Sequence, residues 1–201
     1  MPKHLKKLSE EILHSNPWSV YKHDTYEKPN GAVGDYYYMQ TPGNSMIIPV
    51  LEDGRIVLIL QTRYIDQRQS LEFPCGGKKE GQSPLDVAKI ELYQETGWIA
   101  DDFMKIGSFQ ALNGLVDDEC HVFLAKVVEQ KEQQLEDTED IEVLYRRPDE
   151  IDEMIKKNDI WDGQTMAAWS MARHIFFEEK PVAKATALGT LQNIFDDFIG
   201  S

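Results

Sequence analysis

At 201 residues and 23.1 kDa, the chain is long enough for one domain with a full hydrophobic core. Its 21 Lys and Arg face 35 Asp and Glu, a net charge of −14 that repels nucleic-acid backbones and anionic membranes. The same acidity leaves room for a small phosphorylated substrate, because a divalent cation can bridge carboxylates and phosphate oxygens. Two cysteines, Cys75 and Cys120, are too few for a disulfide framework or a four-thiolate zinc site. The apolar runs 46–51 and 56–60 are strand-sized, and no signal-like segment follows Met1, so the sequence reads as soluble and cytoplasmic.

In chain order, Leu5, Leu8 and Ile12 predict a short amphipathic helix over the first thirteen residues. Residues 18–26 and 35–40 read as extended, separated by the turn-rich Lys28-Pro29-Asn30-Gly31. Residues 45–51 and 55–61 predict a hairpin, with Asp53-Gly54 supplying the positive φ of a tight turn. A glycine-rich loop follows at Gly76, Gly77 and Gly81. A helix then begins at the N-cap Ser83, with Pro84 in its first position, Asp86 in its first turn, and Gly97 as its stop. Further strands are expected at 104–111, 119–127 and 141–145, with the acidic run 132–140 as a loop. Helices are expected at 149–157, 163–178 and 183–198. The pattern predicts an α+β fold, a mixed sheet between helices.

The stretch that carries chemistry is Gly76 to Ile99. On the Ser83-capped helix, Glu91 and Glu95 are four residues apart and share one face, with Gln94 beside them. Like charges at that spacing repel by roughly a few tenths of a kcal/mol, and a hard cation between them reverses the sign. Taken alone, the pair also fits a solvated acidic face.

The full spacing resembles the Nudix box, Gx5Ex7REUxEExGU, with Gly76, Glu91, Leu92, Glu95, Gly97 and Trp98 on matching positions. Gln61-Thr62-Arg63, Leu71-Glu72-Phe73-Pro74, Glu139-Asp140-Ile141 and Asp162-Gly163-Gln164-Thr165 resemble the flanks of the ADP-ribose and nucleotide-sugar pyrophosphatase branch. Three box positions depart from the pattern: Gln82, Ile90 and Gln94 stand where the family carries Glu, Arg and Glu. Gln94 keeps a neutral carbonyl ligand without its charge.

The resemblance implies a Nudix fold at residues 44–180, preceded by a β extension at 1–43 and followed by a helix at 181–201. It implies Mg²⁺, or Mn²⁺ in its place, held by Glu91, Glu95, Gln94 and the main-chain carbonyl of Cys75. Glu139 then matches the base or extra ligand, with Asp137 and Glu119 as substitutes, although its acidic loop also reads as plain solvated surface. Arg63 matches a phosphate-contacting arginine. Glu72 belongs to the substrate site, to a dimer interface, or to a buried structural role. Trp18 and Tyr37, near Tyr36 and Tyr38, would stack on a nucleobase or pack within a sheet. His121, His174, Trp161 and Trp169 read as structural. The implied activity is hydrolysis of a nucleoside diphosphate linked to another moiety, ADP-ribose or an ADP-sugar first and GDP-mannose next, by a homodimer that binds no nucleic acid or membrane. The altered box equally fits a module that binds a nucleotide without cleaving it.

Overall fold

The computed structural model describes residues 5–177. The order is β1 (Lys6–Ser15), β2 (Val20–Glu27), β3 (Val33–Gln40), β4 (Asn44–Val50), β5 (Ile56–Arg63), β6 (Arg68–Glu72), β7 (Cys75–Gly77), α1 (Pro84–Thr96), β8 (Trp98–Phe109), β9 (Val116–Asp117), β10 (Cys120–Gln130), β11 (Glu142–Arg146), α2 (Pro148–Lys156) and α3 (Gly163–Phe176). The helix expected at 183–198 lies outside the described residues.

A seven-stranded mixed sheet runs β11-β5-β4-β10-β8, with β6 added to β5 and β7 to β4. Only β4 and β10 are parallel in it, from Cys120 opposite Asn44 to Lys126 opposite Val50. Side chains alternate across a strand, so β4 serves two cores. Met46 and Ile48 join Leu58, Phe73, Val122, Ile151, Ala168 and Trp169 under α2 and α3. Ile47 joins Phe123, Ala125, Val127, Ala88 and Leu92 under α1. Burying each large aliphatic side chain is worth roughly 1.5–3 kcal/mol, and the near-continuous burial of β4 reflects cover on both faces. The architecture is the expected α+β sandwich.

Three expectations are corrected. The first segment forms strand β1, not a helix. It pairs antiparallel with β2 from Lys6–Glu27 to Ser15–Val20, and Ser9–Thr25, Lys7–Asp24 and Glu10–Lys22 contacts tie its side chains across. The expected hairpin turns at Gly54 (φ 83°), but β4 and β5 pair only at Val50–Ile56. β4 instead takes β10 and β7 as neighbours, and β5 takes β6 and β11. Finally, Gly76 and Gly77 belong to strand β7, which pairs with β4 through Ser45–Gly76.

β1, β2, β3 and β9 form a second sheet of four strands. β1 is its edge, and all ten of its residues are exposed. Among the described residues no helix is long and apolar enough to cross a membrane.

Candidate active site

Helix α1 starts where the sequence places it. The Ser83 hydroxyl accepts from the Asp86 N–H at 3.2 Å, and the Asp86 carboxylate accepts from the Ser83 N–H at the same distance, closing a capping box. Gly97 ends the helix in the left-handed conformation at φ 73° and donates to the Tyr93 carbonyl. Between these caps α1 turns Val87, Ala88, Leu92 and Glu95 inward.

Glu95 is therefore a carboxylate in a core position, 4% exposed. Its Oε2 accepts the Cys75 backbone N–H at 2.9 Å, which fixes it against β7. Glu91, one turn earlier, lies directly over Gly76. A Cβ at position 76 would stand 2.0 Å from the Glu91 carboxyl carbon, so only glycine lets β7 pass this close. Burial, then the charges of Glu139 and Glu136, push Glu91 up to about 7. Burial and the Glu91 charge push Glu95 well above the usual carboxylate range, against the opposing Cys75 N–H bond. Two carboxylates whose burial and like-charged neighbours raise their pKa values form a hard-oxygen donor pair that a divalent cation would relieve of its repulsion. Among the described residues no three or more His, Cys, Asp or Glu side chains gather closely enough to hold a metal by themselves, so phosphate and water oxygens would complete the shell. Gln94 is half-buried on the same helix, and its main-chain carbonyl accepts from the Gln134 N–H at 2.9 Å.

A cavity of about 620 Å³ opens beside β7, lined by Arg63, Glu72, Cys75, Gly76, Trp18 and Trp161 among others. A larger hollow of about 840 Å³ at the opposite end of the sheet, lined by Leu51, Arg55, Trp98 and Tyr145, holds none of the box carboxylates. Glu72 is 2% exposed and grips Arg63: Arg63 Nε donates to Oε1 at 2.7 Å and Nη2 donates to Oε2. Gln61 also donates to Glu72 at 3.4 Å. This fork sets a half-exposed guanidinium at the cavity wall.

The other expected residues scatter. Trp18, 78% exposed, reaches the cavity mouth from the β1–β2 turn. Tyr37 does not line the cavity. Its ring stacks on His23 at 4.4 Å and lies 6.5 Å from Tyr21, on the second sheet. Glu139 is half-buried, and its carboxylate accepts the Glu136 N–H at 2.8 Å across the turn that holds Asp137. Glu119 is engaged by Ser108 at 2.6 Å. Trp169 is buried, with its indole N–H on Asp152, whereas His174 is exposed on α3. His121 is half-buried beside Glu119.

The residues missed by sequence reasoning come from the start of α3. Trp161, expected to be structural, lines the cavity, its N–H on the Gln69 carbonyl and Arg68 over its ring at 4.1 Å. Asp162 caps α3 by accepting the Thr165 N–H at 2.7 Å, and Asn44 donates to Gln164 at 3.2 Å, which carries Asp162 and Gln164 to the same wall. The N-cap pattern at Asp162 was the available signal; the approach of α3 to β4 was not.

Comparison with known proteins matches the NUDIX domain over residues 41–169. The chain is 30% identical over 162 residues to an ADP-ribose pyrophosphatase of Bacillus subtilis (strain 168), covering 79% of this chain and 86% of the relative. It is 29% identical over 147 residues to a methanol dehydrogenase activator of Bacillus methanolicus, covering 72% and 80%. A crystal structure of an ADP compounds hydrolase shares the fold at a TM-score of 0.76 and 18% identity, over 86% of this chain and 94% of that one. The chain thus belongs to the Nudix family, in its ADP-ribose pyrophosphatase branch.

Proposed function

We propose that the chain hydrolyses the diphosphate bond of ADP-ribose or an ADP-sugar, giving a nucleoside monophosphate and a sugar phosphate, with Mg²⁺ or Mn²⁺ as cofactor. The observation that carries this reading is the cradle of Glu91 over Gly76 and Glu95 on the Cys75 N–H, with the Glu72-gripped Arg63 lining the cavity that Cys75 and Gly76 also line. Glu91, Glu95 and the Cys75 carbonyl would hold the cation, with Gln94 as a neutral donor. A bound cation there draws charge from the diphosphate and acidifies water. Arg63 binds the diphosphate through the guanidinium edge that Glu72 leaves open, and Trp18 stacks on the base from the cavity mouth. Glu139, whose charge already reaches both box carboxylates, accepts the proton of the attacking water. The water oxygen forms a new bond to phosphorus as the bridging P–O bond breaks, and the phosphate of the departing product carries away the electron pair.

The edge strand β1, with Leu8 46% and Ile12 59% exposed, supports a homodimer closed through the second sheet. The free thiols of Cys75 and Cys120 fit a reducing, cytoplasmic setting. Gln82, Ile90 and Gln94 favour a second reading, a nucleotide-binding module without turnover. Product analysis separates the two. Incubation of ADP-ribose with protein and Mg²⁺ gives AMP and ribose 5-phosphate if the chain is the hydrolase, and returns bound, intact ADP-ribose if it is the module. Sedimentation of the full chain tests the dimer.

A further inference from the structure

The last carbonyls of a helix have no partner within it and must be satisfied from outside. At the end of α1 the Gly97 N–H donates to the Tyr93 carbonyl, and the partners of the Gln94, Glu95 and Gly97 carbonyls come from one segment, the loop that leaves β10 and carries Glu139. The Lys131 N–H donates to the Gly97 carbonyl at 2.8 Å, and the Gln134 N–H to the Gln94 carbonyl at 2.9 Å. The Gln133 side-chain amide donates to the Glu95 carbonyl at 2.5 Å and to the Ile141 carbonyl at 3.3 Å. A terminal amide has two N–H groups, so Gln133 spends both, one on each end of the loop. Gly97 makes the approach possible, since a Cβ there would stand 2.1 Å from the Lys131 carbonyl oxygen.

From this geometry we infer that Gln133 is a positioning residue. It latches the loop 131–140 to the C-terminus of α1 and to the start of β11, and so fixes Glu139 relative to Glu91 and Glu95. The half-buried amide touches neither cavity nor box carboxylate side chain, and no box position or flanking motif contains it. The role of Glu139 rests on the function proposed above; the latch itself does not.

Three variants test it. Gln133→Ala removes both donors. Gln133→Glu keeps the shape but sets a carboxylate against two carbonyls and a helix C-terminus. Gln133→Lys restores donors and a favourable charge. With ADP-ribose, Gln133→Ala and Gln133→Glu should each lower kcat by about tenfold or more, the usual cost of losing such an orienting bond, with KM nearly unchanged. Gln133→Lys should recover most of kcat. In hydrogen exchange, the amides of Lys131 and Gln134 should open several-fold faster in Gln133→Ala and Gln133→Glu and return toward the wild-type rate in Gln133→Lys. Wild-type kcat and exchange in Gln133→Glu would overturn the inference, because they would leave the side chain only a packing role. If the wild-type chain cleaves neither ADP-ribose nor an ADP-sugar, the function fails, while the exchange arm, which needs no substrate, still decides the latch.

Discussion

The Cys75 backbone N–H donates to Glu95 Oε2 at 2.9 Å, so the strand whose carbonyl is proposed to meet the cation also anchors the most buried carboxylate of the box. Glu95→Gln keeps an acceptor for that N–H and removes the charge. It should leave the fold intact and lower kcat by about a hundredfold or more, since several kcal/mol of charge stabilisation are at stake. Steady-state kinetics with a circular-dichroism melt of the same preparation checks both halves.

Glu91 and Glu95 are raised above the carboxylate range of an unfolded chain, Glu91 from 4.5 to about 7. Between those values the folded protein binds more protons than the unfolded one, so this contribution to stability is full below about 4.5 and is lost as pH rises from there through about 7. The metal-free protein should melt several degrees lower at pH 8 than at pH 5.5. Mg²⁺ should remove most of that difference, and Glu91→Gln should shrink it. Thermal melts across pH, with and without Mg²⁺, read this directly.

Gly76 shows how a backbone choice sets a side chain. Gly76→Ala would drive a methyl group into the Glu91 carboxylate, which is flexible enough to swing away. Activity and Mg²⁺ affinity should fall by about tenfold, the scale seen when a ligand is misplaced, while the melting temperature moves little. Titration of activity with Mg²⁺ separates this from a folding defect.

Arg63 and Glu72 form a charge-assisted fork with one partner buried. Glu72→Ala removes the buried partner and should cost about 1–3 kcal/mol of stability together with a raised KM for the diphosphate. Arg63→Lys should raise KM as well, because an ammonium cannot hold both carboxylate oxygens and still present a planar edge. Denaturant unfolding and the kcat-against-KM split measure the two effects.

Gln94 is half-buried beside the donor set, and Ile90 is 39% exposed, so both accept charge without disturbing the core. The pair Ile90→Arg and Gln94→Glu should raise turnover and lower the Mg²⁺ needed for half-maximal rate. A metal titration of the double variant reports it.

The local parts of this site were legible in the sequence. Ser83, Pro84 and Gly97 bound α1 through their own cap chemistry, and the spacing of Glu91 and Glu95 puts both on one helical face whatever surrounds them. What escaped depends on partners distant in sequence. Leu5, Leu8 and Ile12 are spaced for a helix, yet the segment lies flat because β2 supplies ladder bonds and opposite charges along its length. The pairing of β7 with β4 turned an apparent glycine loop into the strand on which Glu91 and Glu95 rest. Trp161 and Gln164 reach the cavity only because Thr165 on α3 accepts the Phe73 N–H at 3.3 Å, a contact across 92 positions.

Hydrolysis at the Glu91–Glu95 site is tested most directly by phosphate-coupled turnover of ADP-ribose, ADP-glucose, GDP-mannose, NADH and a diadenosine polyphosphate with Mg²⁺ or Mn²⁺, wild type against Glu95→Gln. Metal-dependent hydrolysis of ADP-ribose or ADP-glucose, lost in the variant, is the expected result. Folded wild-type protein that binds ADP-ribose yet releases no phosphate from any of the five, or a Glu95→Gln variant as fast as wild type, would contradict it.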